Sequence, residues 1–153
     1  MRWVFWGAVA LIAYTYVGYP LWLWLRCRLR PKPIQAGSIA PFVSVVMVVR
    51  NEERVLARKL DNLLSLEYPS QQMEIVVVSD GSTDRTEEIL REYAKRPQLH
   101  AVMNQFSQGK ASGLNDALSI AHGEIIVFTD ARQTIETAGL QVLVNNFADP
   151  EVG

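Results

Sequence analysis

Three short segments of this 153-residue sequence carry acidic, amide and hydroxyl side chains where a ligand could be held. They are Arg50-Asn51-Glu52-Glu53, Ser79-Asp80-Gly81-Ser82-Thr83-Asp84 and Thr129-Asp130-Ala131-Arg132-Gln133. Each follows directly on a run of apolar, mostly β-branched residues. Carboxylates gathered at neighbouring strand ends repel one another unless a cation stands among them. The chemistry they suggest is a rim that binds a metal ion and an anionic nucleotide. The plainer alternative is that these residues only cap helices and close turns, where Asp, Ser and Thr are favoured anyway. That alternative weighs most on Ser82, Thr83 and Asp84, and least on Asp80 and Asp130, which come straight off apolar strands.

The elements that must position these residues alternate along the chain. Phe42 to Val49, Glu74 to Ser79, Leu99 to Met103 and Glu124 to Thr129 read as strands, the first two of them buried. Between them, Val55, Leu56, Leu60, Leu63 and Leu64 recur at helical spacing until Tyr68-Pro69, with Asn51 a candidate cap. Ile89, Leu90, Tyr93 and Ala94 form the stripe of a second helix, capped from Ser82, Thr83 or Asp84. A turn at Gln108-Gly109 opens a third from about Lys110, and Gly123 stands where a C-cap glycine belongs. A fourth helix is predicted over Ile135 to Phe147, with Leu140, Leu143, Val144 and Phe147 on one face. A β-α-β-α-β-α-β-α order implies an α/β fold with a mostly parallel sheet and helices on both faces. Such sheets bind ligands beyond the carboxyl ends of their strands.

The first 30 residues are of another kind. No charged residue lies between Trp3 and Leu25, and Arg26, Arg28, Arg30 and Lys32 follow at once. About 20 apolar residues rising about 1.5 Å each span a hydrocarbon core about 30 Å thick. A cleaved signal peptide would put its charge before a shorter apolar run, so residues 1–30 read as a transmembrane anchor with a basic flank. Trp22 and Trp24 fall where an interfacial belt lies, and the basic flank predicts a cytoplasmic domain after it. Pro20 is expected to kink the helix. Residues 31–41, with three prolines and a glycine, read as a linker, leaving 42–153 as the domain.

Residues 1–32 hold five of the 15 basic residues and none of the 16 acidic ones, so 33–153 carry 10 against 16, a net charge of −6. A domain this acidic is a poor nucleic-acid binder. The one cysteine, Cys27, forms no internal disulfide and agrees with a reducing compartment. His122, at the predicted end of a helix, reads as a favourable C-terminal cation.

The segments VSVVMVVRNEE, EIVVVSDGSTDRT, GKASGLNDAL and GEIIVFTDAR, in that order and spacing, resemble successive blocks of the family-2 glycosyltransferases. The likeness is greatest to their cellulose-synthase-like, processive branch. It implies a GT-A fold, present in part, and inverting transfer of a sugar from a nucleotide diphosphate sugar to a glycan or lipid acceptor at the cytoplasmic membrane face. It also implies Mg²⁺ or Mn²⁺ as cofactor. By the resemblance, Asp80 contacts the nucleotide base and Arg50, Asn51 and Glu52 line the same pocket. Lys110 and Asn115 belong to the block beside the donor phosphates, and Asp130 is the metal-holding first acid of a D-x-D motif. Three departures stand out: Arg50 replaces a tyrosine of many members, Ser79 replaces an acid, and the third D-x-D position is Arg132, whose guanidinium fork suits phosphate instead. The family's general base comes from a later motif, expected beyond Gly153, so no catalytic base is assigned.

Other readings meet specific obstacles. A phosphatase of the haloacid-dehalogenase type would need its nucleophilic acid at position 78, where valine stands. A dinucleotide-binding turn after the first strand needs glycines, and Arg50-Asn51-Glu52-Glu53 has none. The remaining alternative is a truncated, catalytically incompetent, membrane-tethered module that binds nucleotide sugar or acts as a scaffold.

Overall fold

A computed structural model describes residues 2–152; Met1 and Gly153, the outer ends of the expected anchor and domain, lie outside them. The chain divides into two compact units, the first ending at Gln35 and the second beginning at Ala36.

The first unit is a helical run, Arg2–Leu29, of 28 residues with none of its apolar window buried, long and apolar enough to cross a membrane. It comprises α1 (Arg2–Ala13), a π turn (Tyr14–Gly18) and α2 (Tyr19–Leu29). The irregularity expected at Pro20 takes the form of that wide turn, in which the Tyr19 N–H reaches back to the Tyr14 carbonyl. One slipped register just before a proline absorbs its missing donor without ending the helix. At the far end, the Arg26 and Arg28 guanidiniums each lie 5.4 Å from the ring centres of Trp22 and Trp24. The stacking draws charge back over the two rings.

The second unit is built on four parallel strands in the order β3-β2-β1-β4. These are β1 (Val43–Val49), β2 (Met73–Asp80), β3 (Leu99–Asn104) and β4 (Ile125–Phe128). Helices α3 (Leu56–Leu64), α4 (Thr86–Tyr93), α5 (Lys110–Ile120) and α6 (Gly139–Asn145) connect or follow them. Alternation along the strands sends Val45, Met47, Ile75 and Val77 to a core shared with Leu56, Leu60 and Leu63 of α3, Leu90 of α4, and Leu140 and Val144 of α6. Val46, Val76 and Val78 face the other way, onto Ala117 of α5. Truncating one such fully buried leucine to alanine costs about 2–5 kcal/mol. β1 and β2 are central and buried on both faces, which explains their unbroken apolar runs.

Four local expectations change. The last helix begins at Gly139, four residues late, because Asn62 of α3 pairs with both the N–H (2.9 Å) and the carbonyl (2.8 Å) of Ile135. That clamp takes the carbonyl a first helical turn would use, and of the expected apolar face only Leu140 and Val144 are buried. Gly123 is not a left-handed cap: α5 ends at Ile120 with an extended Ala121, and Gly123 instead passes so close to β1 that a Cβ would lie 2.3 Å from the Ser44 nitrogen. His122 is therefore beyond the helix, and its N–H donates to Glu74 Oε1 at 2.6 Å. Asn51 does not cap α3; its side chain turns toward β2's loop.

Candidate functional site

Register brings the sequence segments together. Val49 pairs with Ser79 and Asp80 with Asn104, so the loops leaving β1, β2 and β3 emerge side by side at one carboxyl edge. β4 lies on the other side of β1, so the chain crosses from one flank of β1 to the other, which is where such sheets bind ligands.

The β1 and β2 loops are laced to one another. Asn51 sits at φ 53°, a left-handed conformation that asparagine tolerates better than most residues. From there its Oδ1 accepts from the Thr83 N–H (2.8 Å) and its own N–H donates to Ser82 Oγ (3.2 Å). The Glu52 N–H donates to Thr86 Oγ1 at 2.9 Å and the Glu53 N–H to Asp84 Oδ2 at 3.1 Å. Of the expected cap residues, Asp84 alone reaches the start of α4, accepting from the Thr86 N–H at 3.0 Å. Ser82 and Thr83 are spent on the lacing.

Asp80 organises the next loop. Its carboxylate, nearly buried, accepts from the Gln108 N–H (2.7 Å), the Ser107 hydroxyl (2.7 Å) and the Gly109 N–H (3.0 Å). The Gln108 and Ser107 bonds, then that of Gly109 and the charge of Arg50, hold its carboxyl below the usual carboxylate range against the effect of burial. Gly81 at φ +63° and Gly109 at φ +91° provide the turns on either side. The result sets Lys110 at the first position of α5, where its charge adds to the positive end of the helix dipole. Asn115 lies exposed on the same helix, more than one turn further along.

The β4 end supplies the opposing charge. Asp130 Oδ1 accepts from the Arg132 N–H at 3.1 Å, while Oδ2 faces Lys110 Nζ at 3.5 Å. That N–H, and after it the lysine, depress the Asp130 carboxyl below its ordinary value. Arg132 turns away to Glu52, with Nη2–Oε1 at 2.9 Å. Beneath the turn lies a residue that the sequence reading missed. Lys59 of α3, 1% exposed, donates to Thr129 Oγ1 (2.8 Å) and the Gln133 carbonyl (2.7 Å). The signal was present, since position 59 falls on the stripe of Leu56, Leu60 and Leu63.

Among the described residues, no group of three His, Cys, Asp or Glu side chains could hold a metal ion. Asp130 nevertheless presents a half-exposed oxygen of the hard type that Mg²⁺ and Mn²⁺ prefer, and such ions are commonly held by one or two carboxylates plus substrate phosphates and water. The residues fit a divalent ion that arrives with a diphosphate.

Comparison with known proteins agrees with this geometry. The family model for Glycosyl transferase family 2 matches residues 44–153. A beta-monoglucosyldiacylglycerol synthase of Nostoc sp. is 37% identical across 98% of this chain, which spans 33% of that relative. A poly-beta-1,6-N-acetyl-D-glucosamine synthase of Staphylococcus epidermidis is 31% identical over 72% of the chain and 27% of its own length. Among solved structures, a mannosyltransferase from Pyrobaculum calidifontis in complex with GDP-Man and Mn²⁺ superposes with a TM-score of 0.79 and 36% identity, over 95% of this chain and 44% of that one. TarS 1-349 of S. aureus in complex with UDP-GlcNAc gives 0.60 and 30%, over 67% and 30%. The chain thus spans about a third of the length of the curated relatives it matches first. Its parallel sheet is that of the GT-A glycosyltransferases, in part, and the chain belongs to glycosyl transferase family 2.

Proposed function

We propose that this chain is the donor-binding part of a glycosyltransferase that moves a sugar, with inversion, from a nucleotide diphosphate sugar to a glycan or lipid acceptor at the cytoplasmic face of a membrane. The observation that carries the reading is the approach of Lys110 to Asp130 across the carboxyl edge. Two opposite charges from separate loops, Lys110 exposed and Asp130 half-buried, leave room for phosphate at one and a cation at the other.

In this reading the laced Arg50–Glu52 loop and the Asp80-held turn shape the nucleotide pocket, and Lys110 meets the phosphates. Asp130 holds Mg²⁺ or Mn²⁺, which when bound neutralises charge on the departing nucleoside diphosphate. Arg132 leaves Glu52 to pair with phosphate, as an arginine fork does well. The bond from the anomeric carbon to the phosphate oxygen breaks as the acceptor oxygen bonds to that carbon. The acceptor proton passes to a base assigned to no residue of this chain. Relatives solved with GDP-Man and Mn²⁺ or with UDP-GlcNAc support a nucleotide sugar, and the diacylglycerol named for the Nostoc relative supports a lipid acceptor. The apolar helix at Arg2–Leu29 supports a membrane site.

Arg132, standing where the motif's second acid is expected and tied to Glu52, favours a second reading: a tethered module that binds donor without turnover. Calorimetric titration of the detergent-solubilised chain with UDP and GDP, with and without Mn²⁺, tests the donor site. Metal-dependent binding that disappears in Asp130→Ala supports it. A folded chain that binds neither nucleotide overturns it and leaves the scaffold.

A further inference from the structure

Lysine is almost never fully buried unless paired, because desolvating an ammonium is costly. Among the described residues Lys59 is the largest of the fully buried side chains, yet no carboxylate of theirs pairs with it at contact distance. Its two hydrogen-bond acceptors are neutral oxygens, Thr129 Oγ1 and the Gln133 carbonyl. These two atoms stand at the two ends of the turn that contains Asp130, Ala131 and Arg132. Ala131, between them, is itself buried. The nearest acidic influence on the ammonium is that of Asp130: burial pulls the Lys59 pKa below its ordinary value and the Asp130 charge pulls it back up.

The arrangement is asymmetric in a useful way. The neighbouring rim loops are held through several of their backbone N–H groups, which donate to side chains nearby: the β1 loop to Ser82, Thr86 and Asp84, and the β3–α5 loop to Asp80. The β4 turn follows an edge strand of only four residues and has β1 on one side alone. Within it, one bond from the Gln133 N–H to the Asp130 carbonyl (3.3 Å) and one from the Arg132 N–H to Asp130 Oδ1 are all the turn makes for itself. Outside the turn, the Thr129 N–H reaches the Val46 carbonyl at 3.0 Å and Arg132 reaches Glu52, and Lys59 adds a cationic tether from the core to both ends.

Resting on the donor-site reading above, we infer that Lys59 is the positioning residue for Asp130: it pins both ends of the Thr129–Gln133 turn to α3, so that the carboxylate is set for the metal–diphosphate before the donor arrives. Two effects of removing the lysine oppose each other. Loss of a nearby positive charge would tighten a cation at Asp130, and loss of the tether would scatter the carboxylate. Tethering dominates in this account, because both hydrogen bonds end on the turn and neither ends on the Asp130 carboxylate.

Two measurements on the detergent-solubilised chain test it, comparing wild type with Lys59→Met, Thr129→Val and Thr129→Ser. The first is hydrogen–deuterium exchange without ligand. Exchange over residues 130–133 is expected to rise in Lys59→Met and Thr129→Val, with the Asp80-held loop unchanged, and to return to the wild-type level in Thr129→Ser, which keeps the acceptor. Unchanged exchange in the first two variants overturns the tether whether or not nucleotide binds. The second is Mn²⁺ affinity in the presence of saturating UDP or GDP. A roughly 10- to 100-fold loss is expected in Lys59→Met and Thr129→Val, the scale for partners that orient a metal-holding group. Tighter Mn²⁺ binding in Lys59→Met would show the lysine acting as an opposing charge and overturn the positioning role. A variant that merely misfolds is recognised by changed exchange throughout the sheet; then Thr129→Val against Thr129→Ser decides alone. Failure of wild type to bind any nucleotide sinks the donor-site reading and the metal half of this inference with it, while the exchange data still judge the tether.

Discussion

Arg132 and Glu52 join the two flanks of the site: the guanidinium donates from Nη2 to Glu52 Oε1 at 2.9 Å and from Nε to the two carboxylate oxygens at 3.1 and 3.3 Å. The pair closes the loop after β1 onto the turn after β4. The carboxylate raises the arginine's pKa further, so this cation stays charged throughout the working pH range.

Because Glu52 and a phosphate compete for the same fork, their variants should move nucleotide binding in opposite directions. Arg132→Ala is expected to weaken UDP or GDP binding roughly tenfold, the scale of one charge-assisted hydrogen bond. Glu52→Gln is expected to strengthen it and to make it more sensitive to salt. Calorimetry at low ionic strength with saturating Mn²⁺ reads both. Two unchanged affinities would remove Arg132 from the donor site.

Asp80 should report its own protonation through its donors. Its folded-state carboxyl titrates below the ordinary value of 3.8, so its bonds are complete above that pH and are lost as the pH falls through the depressed value. The Gln108 and Gly109 amide resonances are expected to shift together in that acid window. Asp80→Asn faces those two N–H groups with a donor in place of one acceptor, displacing Lys110. Nucleotide affinity should fall about tenfold at neutral pH, in line with a lost charge-assisted bond. Amide shifts indifferent to the substitution would refute the clamp.

Glu74, at the opposite end of the sheet, separates stability from binding. It accepts from the Ser44 hydroxyl and the His122 N–H, with His100 and His122 both facing Oε2. Burial pushes its pKa up, but the bonds from His122 and Ser44 outweigh it and hold the carboxyl below 4.5. Its contribution is therefore present above about pH 4.5 and lost as the pH falls through the lower, folded-state value. Glu74→Met, which orphans those donors, is expected to cost about 1–3 kcal/mol at pH 7. Denaturation at pH 7 and pH 3 should show the difference from wild type shrinking in acid, with nucleotide affinity at pH 7 untouched.

Gly81→Ala should damage the site more than the fold. At φ +63° a side chain is strained by about 1–3 kcal/mol, and a Cβ would stand 2.5 Å from the Ser107 nitrogen and 2.8 Å from the Phe106 carbonyl carbon. Both are backbone atoms of the loop that Asp80 holds, so the loop must move. Nucleotide binding should be lost while the far-ultraviolet circular dichroism keeps its wild-type shape. Retained affinity would mean that the loop is not part of the donor pocket.

The long apolar helix, the four strands and the three acidic strand ends were legible in the sequence because each is a local property. Twenty-odd uncharged residues mark a span, apolar runs of strand length mark a sheet buried on both faces, and Asp80 and Asp130 stand just where such runs stop. Parallel alternation then places those residues at a common edge before any contact is known. The family blocks added an expected role for the matched positions, though not their geometry.

What tertiary structure alone decided is which of these groups are already occupied. Asp80 spends its oxygens on Gln108, Ser107 and Gly109, Arg132 on Glu52, and Asn51 on Thr83. These partners lie about 30 to 80 residues away in the chain, and no local pattern encodes a pairing at that distance. The same reason moved the start of α6 to Gly139, since Asn62 captures Ile135 from another helix. Lys59 is the sharpest case. Its place on an apolar stripe could be read from spacing, but that its charge belongs under the Asp130 turn depends on how α3 packs against the β4 end.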